Sequence, residues 1–199
     1  MNYPTTIKNL IECFKKLPGV GEKSAERSVL ALMNLDQTVI ELFSKSLLDL
    51  KTKVKRCSLC NSLTENDLCD ICSSKNRDKK TICVVHDPKN VILFEKMGTY
   101  NGLYYVLDGL ISPIDGILPS DINLELLKKR IKEEKIEEII IAVKPSLEGE
   151  TTAKYIQKLF EKDNVTVSQI AQGIPLGADI DYIDSLTLEA ALNDRKKVS

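Results

Sequence analysis

Apolar residues recur every three or four positions through the first fifty residues, then gather into short unbroken runs, so the chain predicts helices followed by alternating strands and helices. Ile7, Leu10, Ile11, Phe14 and Leu17 share one face of a helix from about Thr6 to Lys16, which Pro18 stops. A second helix from about Glu22 turns Ala25, Val29 and Leu32 inward. A third, with Asp36 as its candidate cap, uses Val39, Phe43 and Leu47. Beyond residue 80, strands are predicted at Thr81 to Val85, Leu103 to Leu107, Ile139 to Val143 and Val165 to Ile170. Helices near Asn90 to Lys96, Asn123 to Glu134 and Thr151 to Lys162 lie between them. The run Ile139 to Val143 is apolar without alternation, as expected of a central parallel strand buried on both faces, and a compact α/β domain follows. A last helix is predicted near Ser185 to Asn193.

Between these two regimes the polar segment Asn61 to Leu68 is too poor in apolar residues to build a core. Four cysteines bracket it: Cys57, Cys60, Cys69 and Cys72 stand as Cys-x2-Cys-x8-Cys-x2-Cys, a spacing that suits four thiolates converging on one tetrahedral zinc ion. Such a zinc would be structural, one per chain, and would hold the segment together. Two disulfides or a redox pair are the alternative, but disulfides need an oxidising compartment. Met1 to Thr6 has neither a basic nor an apolar leader region. Cys13, in a helical pattern, and Cys83, in a strand-like run, read as small core residues.

At 199 residues and 43% hydrophobic, the chain can bury one good core with small satellites, and no apolar run approaches the roughly 20 residues of a membrane span. A cytoplasmic protein is expected. Net charge is −1, yet residues 1–56 carry 10 basic and 6 acidic side chains against 18 and 23 in residues 57–199. The basic end is the one that suits a polyanion.

That end contains Leu17-Pro18-Gly19-Val20-Gly21-Glu22-Lys23-Ser24-Ala25, which resembles the helix-hairpin-helix motif of sequence-independent DNA-binding proteins. Gly19 and Gly21 let the backbone approach closely, amides at the start of the following helix can bind a phosphate oxygen, and Lys23 and Arg27 add charge one turn apart. The bland alternative is an ordinary helical hairpin with solvated charges. The same residues do not make a nucleotide-binding P-loop, because Glu22 separates Gly21 from Lys23, one residue parts the glycines, and a helix precedes them. Further on, Glu148 and Glu150 flank Gly149 in a loop predicted at the end of the central strand. Such a pair could hold Mg2+, or could simply favour the N-terminus of the next helix.

The order of the parts carries more information than any one of them. Leu17 to Ala25, the four cysteines, Tyr100 to Tyr104, Gly109 to Ile117, Pro145 to Thr151 and Gly173 to Gly177 together resemble, along essentially the whole chain, the bacterial recombination mediator RecR family. The resemblance implies an α+β multi-module protein. Its parts would be a helix-hairpin-helix DNA-binding domain at 1–55, a four-cysteine zinc finger at 56–79, a Toprim-like α/β domain with a mostly parallel sheet at 80–174, and a Walker B-like acidic segment with a helix at 175–199. It also implies a non-enzymatic, DNA-binding role in recombinational repair, with RecO and RecF helping RecA to load on gapped or single-stranded DNA. Association with the nucleoid and a homo-oligomer, dimer or tetrameric ring, are implied with it. Ala178 to Asp184 matches the acidic segment and is expected to be structural, since no P-loop accompanies it.

Two departures bear on catalysis. Toprim enzymes place a Glu at the end of the first strand, where this chain has His86 followed by Asp87, and Lys144 stands where the family usually has a small polar residue. The rival reading is a Toprim-type metal-dependent nuclease, primase or topoisomerase fragment using Asp87, Glu148 and Glu150. Under the mediator reading these three form an acidic or partner surface. His86, the one histidine, could be a pH-sensitive contact, but a solvated strand-end residue is the commoner case and the one expected.

Overall fold

A computed structural model describes residues 3–195 and 197, and the chain forms two compact units, one up to Val54 and the other from Lys55 onward. The first unit is helical: α1 (Thr5–Lys15), α2 (Glu22–Leu32) and α3 (Gln37–Lys53). Ile11 of α1 packs on Ala25 and Val29 of α2, with Ile7, Phe14 and Val20 partly buried around them. Here the periodicity is obeyed only in part. Leu10 and Leu17 are exposed, and so are Val39, Phe43 and Leu47, the expected inner face of α3, which buries no residue at all. Asp36 does occupy the N-cap position of α3, without a capping bond from its side chain. Cys13 is exposed rather than a core residue.

The second unit opens with a short antiparallel pair, β1 (Lys55–Arg56) and β2 (Leu63–Thr64), and the single turn α4 (Asp70–Ser73). It continues as β3 (Thr81–Val85), α5 (Pro88–Met97), β4 (Leu103–Val106), α6 (Leu124–Glu134), β5 (Glu138–Ile141), α7 (Leu147–Phe160) and β6 (Thr166–Gln169). A 3-10 turn at Ile180–Tyr182 and α8 (Ser185–Asn193) follow. The four longer strands make one all-parallel sheet of order β4-β3-β5-β6. Parallel neighbours require crossovers, and the intervening helices supply them. Ile82, Val84, Leu103, Tyr105, Ile139 and Ile141 face α6 and α7 through Leu127, Ile131, Ile156 and Phe160, while Cys83, Val85, Tyr104 and Val106 pack on the other side with Val91 of α5.

Burial departs from expectation at two strands. β5, expected to be buried on both faces, alternates between buried and half-buried residues; β4, at the sheet edge, is buried at every position. The cover on β4 comes from the cysteine segment, described below. Burial also pushes the Cys83 thiol up to about 12, as befits a small core residue.

Candidate functional site

In the first unit the turn between α1 and α2 depends on Gly19, whose φ of +78° lies in the left-handed region that side chains disfavour. Gly21 is the N-cap of α2 in extended conformation, and a Cβ there would meet nothing. Ala25 N–H makes the first helical bond, to Gly21 O, and no side chain caps the end, so the preceding amides of α2 are not consumed by a cap. Lys23 and Arg27 are exposed on the same helix and form no ion pair with a described residue. Glu22, in the first turn, lies 3.8 Å from the ammonium of Lys15, which offsets its negative charge at this end.

In the second unit the four predicted thiols converge: the Sγ atoms of Cys57, Cys60, Cys69 and Cys72 all lie within 4.8 Å of one another, with Cys60 and Cys69 3.5 Å apart. A tetrahedral zinc with bonds of about 2.3 Å demands sulfur–sulfur separations of about 3.8 Å, so the donor set fits the ion in type, number and size. The first knuckle is closed by Asn61 N–H donating to Cys57 O and by Cys57 N–H donating to Ser62 O, with Asn61 at φ +59°. Cys69 is the N-cap of α4 and Cys72 sits within it, while Cys69 N–H points at Cys57 Sγ at 3.3 Å. Crowding of the thiols drives protonation apart. Hydrogen bonding from Cys60 holds Cys69 far below the usual thiol range, and the same contact, with burial, pushes Cys60 far above it. A divalent cation in place of the protons removes that conflict, because every sulfur can then be a thiolate.

The knuckle is seated on the edge of the sheet. Val106 N–H donates to Cys60 O at 2.9 Å, and Asn61 Nδ2 donates to Val106 O at 2.8 Å and to Asp108 at 3.1 Å. Asp108 in turn pairs with Arg56 at 2.6 Å. Arg130 of α6, 3% exposed, donates to Tyr104 O, Leu59 O and Cys72 Sγ and pairs with Glu134. None of Arg56, Asn61, Asp108 and Arg130 was singled out from sequence. Arg130 alone left a trace there, as a cation beside Leu127 and Ile131 on the apolar face of α6.

The three candidate Toprim carboxylates do not come together. Among the described residues the four cysteines are the only cluster of His, Cys, Asp or Glu able to hold a metal. Asp87 caps α5, accepting from Lys89 N–H at 2.7 Å. Glu148 and Glu150 lie not in a loop but in the first turn of α7, which begins at Leu147, four residues earlier than expected. Ser146 Oγ donates to Glu148 at 2.6 Å, holding that carboxyl below its usual range, and Gln172 donates to Glu150 at 2.8 Å. Both glutamates thus stand where the helix dipole favours a carboxylate. Lys144 is exposed in the preceding loop. His86, expected to be solvated, is half-buried, and its Nδ1, like Asn90 Oδ1, is buried without a described partner.

Family models match the chain in four consecutive segments: the RecR helix-hairpin-helix at residues 7–51, the RecR four-cysteine zinc finger domain at 54–74, a Toprim domain at 80–171, and the RecR C-terminal model at 173–196. Proteins named recombination protein RecR from Staphylococcus haemolyticus and Staphylococcus saprophyticus are each 46% identical to it over 198 residues. That from Staphylococcus aureus (strain Mu3) is 45% identical, and every alignment covers 100% of both chains. The helix-hairpin-helix, zinc-finger and Toprim modules make this an α+β multi-module protein with a site for one structural zinc, all four positions supplied by cysteine. With its modules in this order and its full length matched, the chain belongs to the RecR family.

Proposed function

We propose that this protein is a non-enzymatic, sequence-independent DNA-binding mediator of recombinational repair. In this reading it works with RecO and RecF to promote RecA loading on gapped or single-stranded DNA, in the cytoplasm and at the nucleoid. The observation that carries the reading is the uncapped N-terminus of α2 behind the Gly19 turn, flanked by exposed Lys23 and Arg27. Amides and cations of this kind read phosphate and no base, so affinity is low per subunit and falls steeply with salt. Closure into a ring would multiply local concentration on DNA, with the hairpin domains and the segment from Asp179 to Asn193 as subunit contacts. The zinc and Toprim regions, with Asp87, Glu148 and Glu150 on their surface, would meet RecO or RecF. The proposed domains are 1–55, 56–79, 80–174 and 175–199.

The involvement of Asp87, Glu148 and Glu150 in helix starts supports the non-enzymatic reading over a Toprim nuclease, primase or topoisomerase. Binding to single- and double-stranded DNA of several sequences, titrated with salt, tests the site. Lys23→Ala with Arg27→Ala should weaken binding uniformly and reduce the salt slope by about 2. Unchanged binding by the folded double variant would place the DNA surface elsewhere. Mg2+- or Mn2+-dependent nicking, relaxation or primer synthesis, lost in Glu148→Ala, would establish the enzyme instead. Deleting residues after Gly177 should reduce both the assembly size seen by light scattering and the DNA affinity.

A further inference from the structure

Arg130 is a cation almost wholly withdrawn from water, and among the described residues a lone carboxylate, that of Glu134 at 3.1 Å, is its ion-pair partner. Burying a guanidinium costs several kcal/mol unless its donors are satisfied. Three of its four remaining N–H donors go to a specific set of acceptors: Tyr104 O at 3.0 Å, Leu59 O at 3.3 Å and Cys72 Sγ at 3.5 Å. Those acceptors belong to the sheet edge, to the first knuckle and to the second knuckle, respectively. A planar fork can hold them together; a point-like ammonium cannot.

The same contacts solve a problem of the sheet. β4 is an edge strand, and its outward polar groups would pair with any strand that approached. Here Tyr104 O is taken by Arg130, Val106 N–H by Cys60 O, and Val106 O by Asn61. These edge groups are therefore taken by the first knuckle and by the arginine that ties it to the second. Four thiolates on a divalent ion carry two net negative charges, which a neighbouring cation stabilises, and outer-shell donors to metal ligands typically affect metal affinity 10- to 100-fold.

We propose that Arg130 is a positioning residue of the zinc centre: it orients and neutralises the Cys72 thiolate while tying it to Tyr104, so that zinc retention and closure of the β4 edge form one cooperative unit. This goes beyond the DNA-binding reading and does not depend on it. The test uses the full-length zinc-loaded protein with Arg130→Met and Arg130→Lys, reading zinc transfer to a colorimetric chelator and hydrogen exchange at the Val106 amide under conditions where the proteins stay folded. Arg130→Met should transfer zinc about 10-fold faster and exchange Val106 faster. In the cobalt-substituted protein, its sulfur-to-metal charge-transfer band should move to lower energy, because a thiolate relieved of a hydrogen bond is the better donor. Arg130→Lys, which retains charge without the fork, should fall between Arg130→Met and wild type in zinc transfer, and serves alone should Arg130→Met not fold. Folded variants with lowered thermal stability but unchanged zinc transfer and band position would make Arg130 a packing residue only, and overturn the proposal.

Discussion

The two units solve the same problem, hiding apolar surface, to different degrees. The second sets a parallel sheet between helices, and even its edge strand is buried at every position, with the first cysteine knuckle bonded to its outer side. The first has a core of three buried residues, Ile11, Ala25 and Val29, and a 17-residue helix whose Val39, Leu42, Phe43, Leu47 and Leu48 are all exposed. Where side chains are few, the second unit relies on directional contacts: metal ligation at the knuckles, the Asn61 and Cys60 bonds to β4, and the Arg130 fork. The lesson is that the small polar segment between the regimes belongs energetically with the sheet, since its backbone completes β4.

The sharpest way to break the contrast is to remove a zinc ligand. Cys60→Ser should abolish stoichiometric zinc binding and destabilise the second unit by ~3 kcal/mol or more. Amide spectra of α1 and α2 should remain native-like, and elemental analysis with residue-resolved hydrogen exchange checks both halves of the statement. Cys13→Ser, on an exposed helical surface, should leave zinc content unchanged.

A pair of glycines gives the next effect. A Cβ on Gly149 would stand 1.9 Å from Lys144 O, a backbone atom that cannot yield cheaply, whereas one on Gly21 would meet nothing. Gly149→Ala should therefore cost ~2 kcal/mol or more in urea unfolding, while Gly21→Ala should cost about 0.5 kcal/mol through the poorer N-cap. Equal costs would show that α7 does not pack on its loop as described.

The smallest effect is electrostatic. Arg77 donates to both oxygens of Glu95, Tyr104 Oη donates to the same carboxylate at 2.8 Å, and the Arg77 bonds hold the carboxyl below its ordinary value of 4.5. A depressed folded value means that this contribution is fully present above the unfolded pKa and is lost as pH falls through the folded one. The urea midpoint of wild type should thus exceed that of Glu95→Gln at pH 7, and the gap should shrink as pH drops below about 4.5. A gap that persists in acid would assign the network to packing rather than charge.

Much of the fold was legible because it is local. β3 was predicted at its observed limits and α8 likewise, since unbroken apolar runs and helical spacing are read over one short window. The zinc site was legible for the same reason: its ligands are two tight pairs with chemistry that few other residues share. The first turn of α7 was not, because Gly149 and Pro145 argue locally against a helix there, while the close approach to Lys144 O and the Ser146 cap, which accepts from Gly149 N–H, favour one only in the folded chain.

The sequence alone thus determined the order of modules, the four thiols and the hairpin glycines, all written in spacings of a few residues. Tertiary structure alone decided that Val39, Phe43 and Leu47 stay exposed, that Asp87, Glu148 and Glu150 stand at the starts of two helices, and that Arg130 meets Cys72, 58 positions away. Periodicity says which residues share a face but not whether another element covers it, and the acceptors of a buried cation are chosen by the packing of distant strands and knuckles.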